Sequence, residues 1–440
     1  MFYIIERSDQ LEQLHIGEDI FMQVIPVNEN YHPALQSISL IYIRWIKGHK
    51  GYILCVNHSE SLSLLITDIL ARLSNVNKIY TLDKKAVLHH FPTLSPQLID
   101  VQLITSYYKH PDYPQDINID QYESKVESDF KRKYYGESPS TLIPIAKHYE
   151  KYENVYDHIE QTINKIDEKL VKHNSEPYGF LNHYIIPLFY NIEKQGIKLA
   201  KEQFIEYFKD IPYPKFSISK GKIYTQYNLN TLTSRPSNAF NGINFAALNK
   251  TNGERAAFIP ENDSLVEIDF KAYHPTIIAK LAGYEFTGNI YDQLANEFPG
   301  STPETIKELV FQQLYGGVRK DFQDKPFFKQ VNDYTKQLWA GDKVPIGAQF
   351  GKWFEKEMIE NPTPQKLLNY IVQNTETVFN VVQFSAVVNL LKDKNTKVIL
   401  YTYDSILLDY DSSENLLDSI TSLLKFNHSM KTGGNYAEIK

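Results

Sequence analysis

Two aspartates and one helix face carry the chemistry that this sequence suggests. Asp269 ends the strand-like run SLVEID, just where a helical pattern begins. Asp404 lies at the turn inside KVILYTYDSILLDYD, a run that reads as two strands. Carboxylates at the ends of neighbouring strands can share two divalent cations, and two such ions about 4 Å apart stabilise both the attacking and the leaving oxygen of a phosphoryl transfer. Mg2+ suits that arrangement because it takes oxygen ligands and bridges substrate phosphates; Mn2+ accepts the same donors. A strand-end aspartate taken singly is more often a turn or cap residue, so the weight falls on the pair. In TPETIKELVFQQLYGG, residues Lys307, Phe311 and Tyr315 recur at four-residue spacing and share one helical face. A lysine there is a compact charge for phosphate oxygens, and an aromatic face stacks any base. A core-facing aromatic stripe with a snorkelling lysine has the same pattern, so the stripe alone leaves both readings open.

The elements that must position these groups follow from hydrophobic spacing. Residues 15–58 predict three strands, in DIFMQVIPV, SISLIYIRWI and KGYILCVNH, and SLSLLITDILARL predicts a helix before the short strand NKIYTL. The stretch from His110 to Ser140 reads as a connector, and Pro144 to His173 as a helix polar on one side. Farther on, Ile185, Leu188, Phe189 and Ile192 form an apolar helical face that Gly196 would stop. Residues 223–229 read as a strand. PTIIAKLAGY predicts a helix, Ser301 with Glu304 a capping box, and Pro303 a first helical turn that runs to about Tyr315. Residues 363–391 predict a long, mostly apolar helix, and 414–425 a last short one.

Composition bounds the class. The 440 residues carry 46 basic and 53 acidic side chains, a formal charge of −7, so any nucleic-acid surface would have to be local. Hydrophobic residues at 42% and charged residues at 22% describe a globular chain rather than a disordered one. No window is apolar enough for a membrane span, and the N-terminus lacks the pattern of a signal peptide. The single cysteine, Cys55, excludes an internal disulfide framework and a cysteine-rich zinc site. The expectation is an intracellular protein, in the cytoplasm of a bacterial or phage-infected cell.

Taken together, six segments in order resemble the polymerase module of family A DNA polymerases, the DNA polymerase I type found also in many phages. LVEIDFKAYHPTIIAKLAG resembles their strand–Asp–helix motif A, and TYDSILLD occupies the place of motif C. Lys307-x3-Phe311-x3-Tyr315-Gly316 matches most of motif B. TLTSRPSNAFNGINF with ERAAFIP, LLNYIVQNTET, and HYIIPLFYNIEKQGIKLAKEQF resemble the segments before motif A, beside the primer–template and at the module's start. The resemblance covers roughly residues 181–411. It implies an α+β fold: a right-hand-like polymerase module of palm, fingers and reduced thumb at 173–440, preceded at 1–172 by an α/β ribonuclease H-like, exonuclease-type domain.

The resemblance also implies roles. Asp269 and Asp404 would be the catalytic carboxylates that hold two Mg2+ ions, with the carbonyl of Phe270 on one of them. Lys307 would meet the nucleotide phosphates, and Phe311 and Tyr315 the nascent base pair. Arg235, Asn369 and Gln373 would contact the DNA. His274 replaces the glutamate that such enzymes set against the sugar 2′ position and is the candidate ribose gate. Primed DNA template and dNTPs are the implied partners, without a membrane.

Departures qualify the expectation. Pro303 stands where motif B begins with arginine, with Arg319 or Lys320 as candidate substitutes; in motif C, Tyr403 and Ser405 stand for histidine and glutamate. Only 31 residues separate Phe204 from Arg235, where such enzymes carry a long thumb. Weak DNA affinity follows, unless a processivity factor or other replication protein supplies the grip. In the N-terminal region Met22, Gln23 and Val24 occupy the strand that should carry two acids, the stretch from Leu82 to Val87 ends without one, Tyr149 stands near another, and Asp100 is isolated. The expectation there is a degenerate exonuclease without proofreading. Two other functions fit the residues: a non-catalytic polymerase-like DNA-binding scaffold, and a primase or terminal transferase on the same palm.

Overall fold

The computed structural model describes residues 3–439 apart from 15–17, 108–138, 172–175, 210–216, 239–242, 299–301, 342 and 347–351. The expected connector from His110 falls almost wholly outside the described residues. The chain divides into two compact units, Met1–Tyr227 with Asn238–Asn244, and Asn228–Ser237 with Phe245–Lys440.

The first unit is built on a six-stranded mixed sheet. Its strands are β1 (Tyr3–Ile5), β2 (Ile20–Pro26), β3 (Ile38–Trp45), β4 (Gly51–Cys55), β5 (Ile79–Thr81) and β6 (Leu98–Asp100), in the order β1-β4-β3-β2-β5-β6. β2, β3 and β4 are the three strands that the sequence predicts, and they pair as an antiparallel meander; β5 and β6 extend it in parallel. Their near-continuous apolar runs reflect burial on both faces. Helix α1 (Ile66–Leu73) starts five residues later than its apolar spacing suggests. The sequence reading leaves β1, β6 and helix α2 (Lys84–His90) unassigned: each is three to seven residues long, too short for periodicity to declare itself. Helix α3 (Val101–Tyr107) follows β6 directly. Helix α4 (Ile145–Ile166) buries Tyr152, Val155, Tyr156, Ile159, Ile163 and Ile166 at helical spacing. It is pinned to β3 by Glu153, which accepts from Arg44 at 2.8 Å and from the Tyr42 hydroxyl at 2.5 Å.

Helix α5 (Ile186–Glu193) has the expected apolar face, and Gly196 beyond it adopts φ +67°, a left-handed conformation suited to glycine. The sequence places a domain boundary at 172, whereas the first compact unit continues to Tyr227. The reason is polar as much as apolar. Glu193 at the end of α5 is fully buried against α2, paired with the Lys85 ammonium, 3.3 Å from the His89 ring, and accepting the Tyr227 N–H at 2.6 Å. Burial would raise its carboxyl. The charge of Lys85 and the contacts with His89 and His32 outweigh that and hold it at about 2.

The second unit contains a four-stranded antiparallel sheet made by β7 (Ser264–Phe270), β8 (Lys397–Tyr401), β9 (Ser405–Tyr410) and β10 (His428–Gly433), in the order β8-β9-β7-β10. Strand β10 is a further finding, since its exposed, polar sequence HSMKTG hides it from pattern reading. Helices α6 (Tyr273–Ala282), α7 (Ile290–Asn296), α8 (Pro303–Gly316), α9 (Pro326–Ala340), α10 (Pro364–Leu390) and α11 (Leu417–Ser422) complete the unit. Thr363 caps α10 through the Lys366 N–H. Buried Phe270 stacks on Phe384 of α10 at 5.7 Å and lies edge-on to Phe426, which clamps the end of β7 to the long helix.

Removing one partner of a buried ion pair leaves the other charge uncompensated. Glu193→Gln should therefore lower the stability of the first unit by ~3–5 kcal/mol, read from urea unfolding, while the double change Lys85→Met with Glu193→Leu should recover much of it. Equal losses in both variants would assign the effect to packing instead.

Candidate active site

The two aspartates meet because β7 and β9 are neighbours. Asp269 pairs in register with Ser405, and the N–H of Phe270 donates to the Asp404 carbonyl at 3.0 Å. The chain then turns sharply on both sides. Tyr403, before Asp404, has φ 63°, and Ala272, at the start of α6, has φ 49°. Neither is glycine, so both are costly conformations that the surroundings must impose. Asn380 on α10 does much of this: its amide donates to the Tyr403 carbonyl at 2.5 Å and to the Tyr401 hydroxyl at 3.3 Å, and its oxygen accepts from Tyr273 at 2.7 Å. Ser405 braces the same hairpin, with its hydroxyl 2.6 Å from that of Thr402.

Helix α8 supplies one wall. Thr302 is its N-cap, in a capping box with Thr305, and Pro303 opens the first turn; the expected Ser301 lies outside the described residues. Ile306, Val310 and Leu314 are buried. The adjoining face presents Lys307 and Phe311 to an open cleft of about 660 Å³, also lined by Asp269, Asp404, His274 and Arg235. Phe270 lines the cleft as well; with its ring packed in the aromatic cluster, it offers backbone. Tyr315 lies one turn beyond, its ring 5.9 Å from that of Phe311.

Beneath the cleft is a residue that the sequence reading leaves unassigned. Glu376 of α10 is completely buried. One of its oxygens lies 3.2 Å from His274 Nε2, and the other 2.9 Å from Arg235 Nε. His274 Nδ1 bonds the Tyr315 hydroxyl, and the Arg235 guanidinium lies 3.8 Å over the Tyr403 ring. The signal for Glu376 is a stripe: Asn369, Gln373, Glu376 and Asn380 follow one another at four, three and four residues, a polar line along one side of the helix. Asn369 and Gln373 bond to each other at 3.1 Å and do not line the cleft. Arg319 is paired with Asp321 at 2.7 Å, and neither it nor Lys320 lines the cleft.

Electrostatics set the carboxylate pair apart. The Asp269 carboxyl is pushed up to about 6 by burial and by the charges of Asp404 and Glu267. Asp404 is raised by burial and by Glu376, against the opposing pull of Arg235 and His274. Crowded, partly desolvated carboxylates are oxygen donors, and their repulsion is what a divalent cation relieves. These residues fit Mg2+. A second acidic and histidine group, His32, His89 and Glu193 in the first unit, has ligand atoms within 4.8 Å of one another. It does not fit a cation. His32 Nδ1 accepts the Ala34 N–H at 3.1 Å, so its Nε2 carries the proton and donates to the Thr225 carbonyl at 3.0 Å, while Glu193 already faces Lys85. Asp100 is buried as well, and its oxygens accept the Lys84 and Leu103 N–H groups at 2.8 and 2.7 Å, a purely structural use.

A carboxyl raised on folding binds its proton more tightly in the native state, so the native state loses stability as pH rises through about 6. Without divalent cations, Asp269→Asn should raise the melting midpoint at pH 7.5 by ~2–4 °C, the shift of about 1 kcal/mol in a unit of this size. The gain should shrink towards pH 5 and on adding Mg2+; a gain independent of pH would contradict the repulsion.

No protein-family description matches the chain, and no curated protein sequence does. Among solved structures it matches the POL domain of Pol1 from M. smegmatis, in complex with DNA primer-template and dNTP, at a TM-score of 0.67 and 13% identity over 99% of this chain and 98% of that one. At that identity the likeness is one of fold: the chain has the mixed α/β fold of that polymerase domain.

Proposed function

We propose that the protein is a template-directed DNA polymerase that adds dNTPs to a primer 3′-hydroxyl. The observation that carries this is the cleft itself: Asp269 and Asp404 side by side at strand ends, facing Lys307 and Phe311 on one helix, within a fold shared with a polymerase domain. The sequence motifs of family A fall on these same elements.

In this reading the 3′-hydroxyl attacks the α-phosphate of the dNTP, and pyrophosphate leaves. Asp269, Asp404 and the Phe270 carbonyl would hold two Mg2+ ions, which when bound neutralise charge on the attacking and leaving oxygens. Lys307, exposed at the wall of the cleft, takes the outer phosphates as a point charge. Phe311 and Tyr315 offer aromatic faces to the nascent base pair. His274, at the start of α6 and tied to Tyr315, stands as the ribose gate. Arg235 and, along the same helix stripe, Asn369 and Gln373 follow the primer–template. Positioning and electrostatics supply catalysis of this kind, with little covalent work for the protein.

In this reading the first unit is a degenerate exonuclease-like domain. Its β2 carries Met22, Gln23 and Val24, and Asp100 is consumed by backbone bonds, so proofreading has no acid pair there. Among the described residues, Phe204 to Arg235 holds the end of a short helix (Lys201–Phe208) and small strands, which supports a reduced thumb. No helix among the described residues is long and apolar enough to cross a membrane.

Primer extension with Mg2+ and four dNTPs at low salt tests the reading. Wild type should extend, and Asp269→Ala and Asp404→Ala should each abolish extension. Lys307→Ala should lower kcat/KM for dNTP by ~10–100-fold, mostly through KM. A folded wild type that binds primed DNA yet never extends it would overturn the proposal in favour of a scaffold.

A further inference from the structure

We infer that Glu376 is the positioning residue of the nucleotide gate, and that it ties the gate to the hairpin carrying Asp404. This rests on the polymerase reading above. Hydrogen-bond directions fix the His274 ring. A carboxylate only accepts, so His274 Nε2, at 3.2 Å from Glu376, carries the proton and donates. In the neutral ring His274 Nδ1 then accepts the Tyr315 hydroxyl. The chain Tyr315 O–H to His274 Nδ1, and Nε2–H to Glu376, has one direction and one tautomer, and Glu376 sets it.

The anchor is rigid. Glu376 is fully buried, while His274 and Arg235 keep only 16% and 23% of their side-chain surface exposed. Arg235 Nη2 donates to the same Glu376 oxygen that faces His274, at 3.4 Å, and Arg235 Nε lies 2.9 Å from the second oxygen, out of line for a hydrogen bond, so that second contact is one of charge. Arg235 in turn covers Tyr403, the left-handed residue before Asp404. One buried carboxylate therefore touches three parts of the cleft at once: α6 through His274, α8 through Tyr315 at one remove, and the Asp404 hairpin through Arg235. An imidazole held at both nitrogens cannot rotate away from an incoming sugar. One held only by Tyr315 can. Glu376 lies at the floor of the cleft and its charge bears on Asp404, but its hold on the sugar side of the cleft passes through His274.

The test compares dNTP and rNTP incorporation on a primed template for wild type, Glu376→Gln, His274→Ala and the double variant. Glu376→Gln should raise KM for dNTP and cut the dNTP-to-rNTP preference by about tenfold, with kcat changed less than about threefold. In the His274→Ala background the same change should alter the preference by less than about twofold, because the residue through which it acts is gone. A preference unaltered in the single variant, or an equal loss in both backgrounds, would overturn the inference. Should Glu376→Gln fail to fold, Glu376→Asp keeps the charge but withdraws the oxygens, and carries the same expectations. Nitrogen NMR of the His274 ring reads the positioning without activity: a single Nε2–H tautomer in wild type and mixed tautomers in Glu376→Gln are expected, and identical spectra would refute it. A wild type inactive on primed DNA, but with the expected spectra, would sink the polymerase reading while leaving the positioning by Glu376 established.

Discussion

Like charges held together in a half-dry cleft oppose folding, and the second unit is arranged around that opposition. Asp269 and Asp404 would separate if either strand end could relax. They do not, because the bond from the Phe270 N–H to the Asp404 carbonyl ties the two chains at the residues in question. The flanking left-handed residues, Ala272 and Tyr403, keep the carboxyls turned into the cleft. Such strain is stored where the surroundings over-determine it. The raised Asp269 carboxyl is its electrostatic signature, and a site that is uncomfortable when empty is one suited to cations.

The long helix α10 is what makes this affordable. Its apolar residues build the core, and its buried polar side chains do the positioning. Asn380 holds the hairpin backbone and Tyr273; Glu376 holds His274 and Arg235; Asn374 bonds the Thr233 carbonyl at 3.0 Å, fixing the segment that leads to Arg235. Buried polar groups of this kind are expensive unless they are paired, and here hydrogen bonds pair most of them while charge alone joins Arg235 Nε to the second Glu376 oxygen. The helix thus converts packing energy into geometry at the cleft.

The first unit solves a related problem with opposite means. Around Glu193 a carboxylate, an ammonium and two imidazoles close on themselves, with each His32 nitrogen already bonded. Nothing is left over for a cation or a substrate. The contrast with the cleft is chemical: the same residue types form a sealed structural cluster in one unit and an open, unbalanced one in the other.

Much of this was legible in the sequence. The strands β2 to β4, the helices α8 and α10, and the β8–β9 hairpin follow from periodicity that no tertiary contact needs to supply. Strand-end aspartates and the Lys307–Phe311–Tyr315 face follow from the same spacing, because a helix fixes which residues share a side. Short or polar elements such as β6 and β10 were not legible, since three residues have no period and an edge strand need not be apolar. The domain boundary was not legible either, because the buried pairing of Glu193 with Lys85 joins residues more than a hundred positions apart. The same holds for Glu376. Sequence alone shows an acid on an apolar helix; only the folded chain brings His274, from a different helix, and Arg235, from an irregular segment, to its two oxygens. Local pattern determines which element each residue occupies, and long-range packing decides which charges meet.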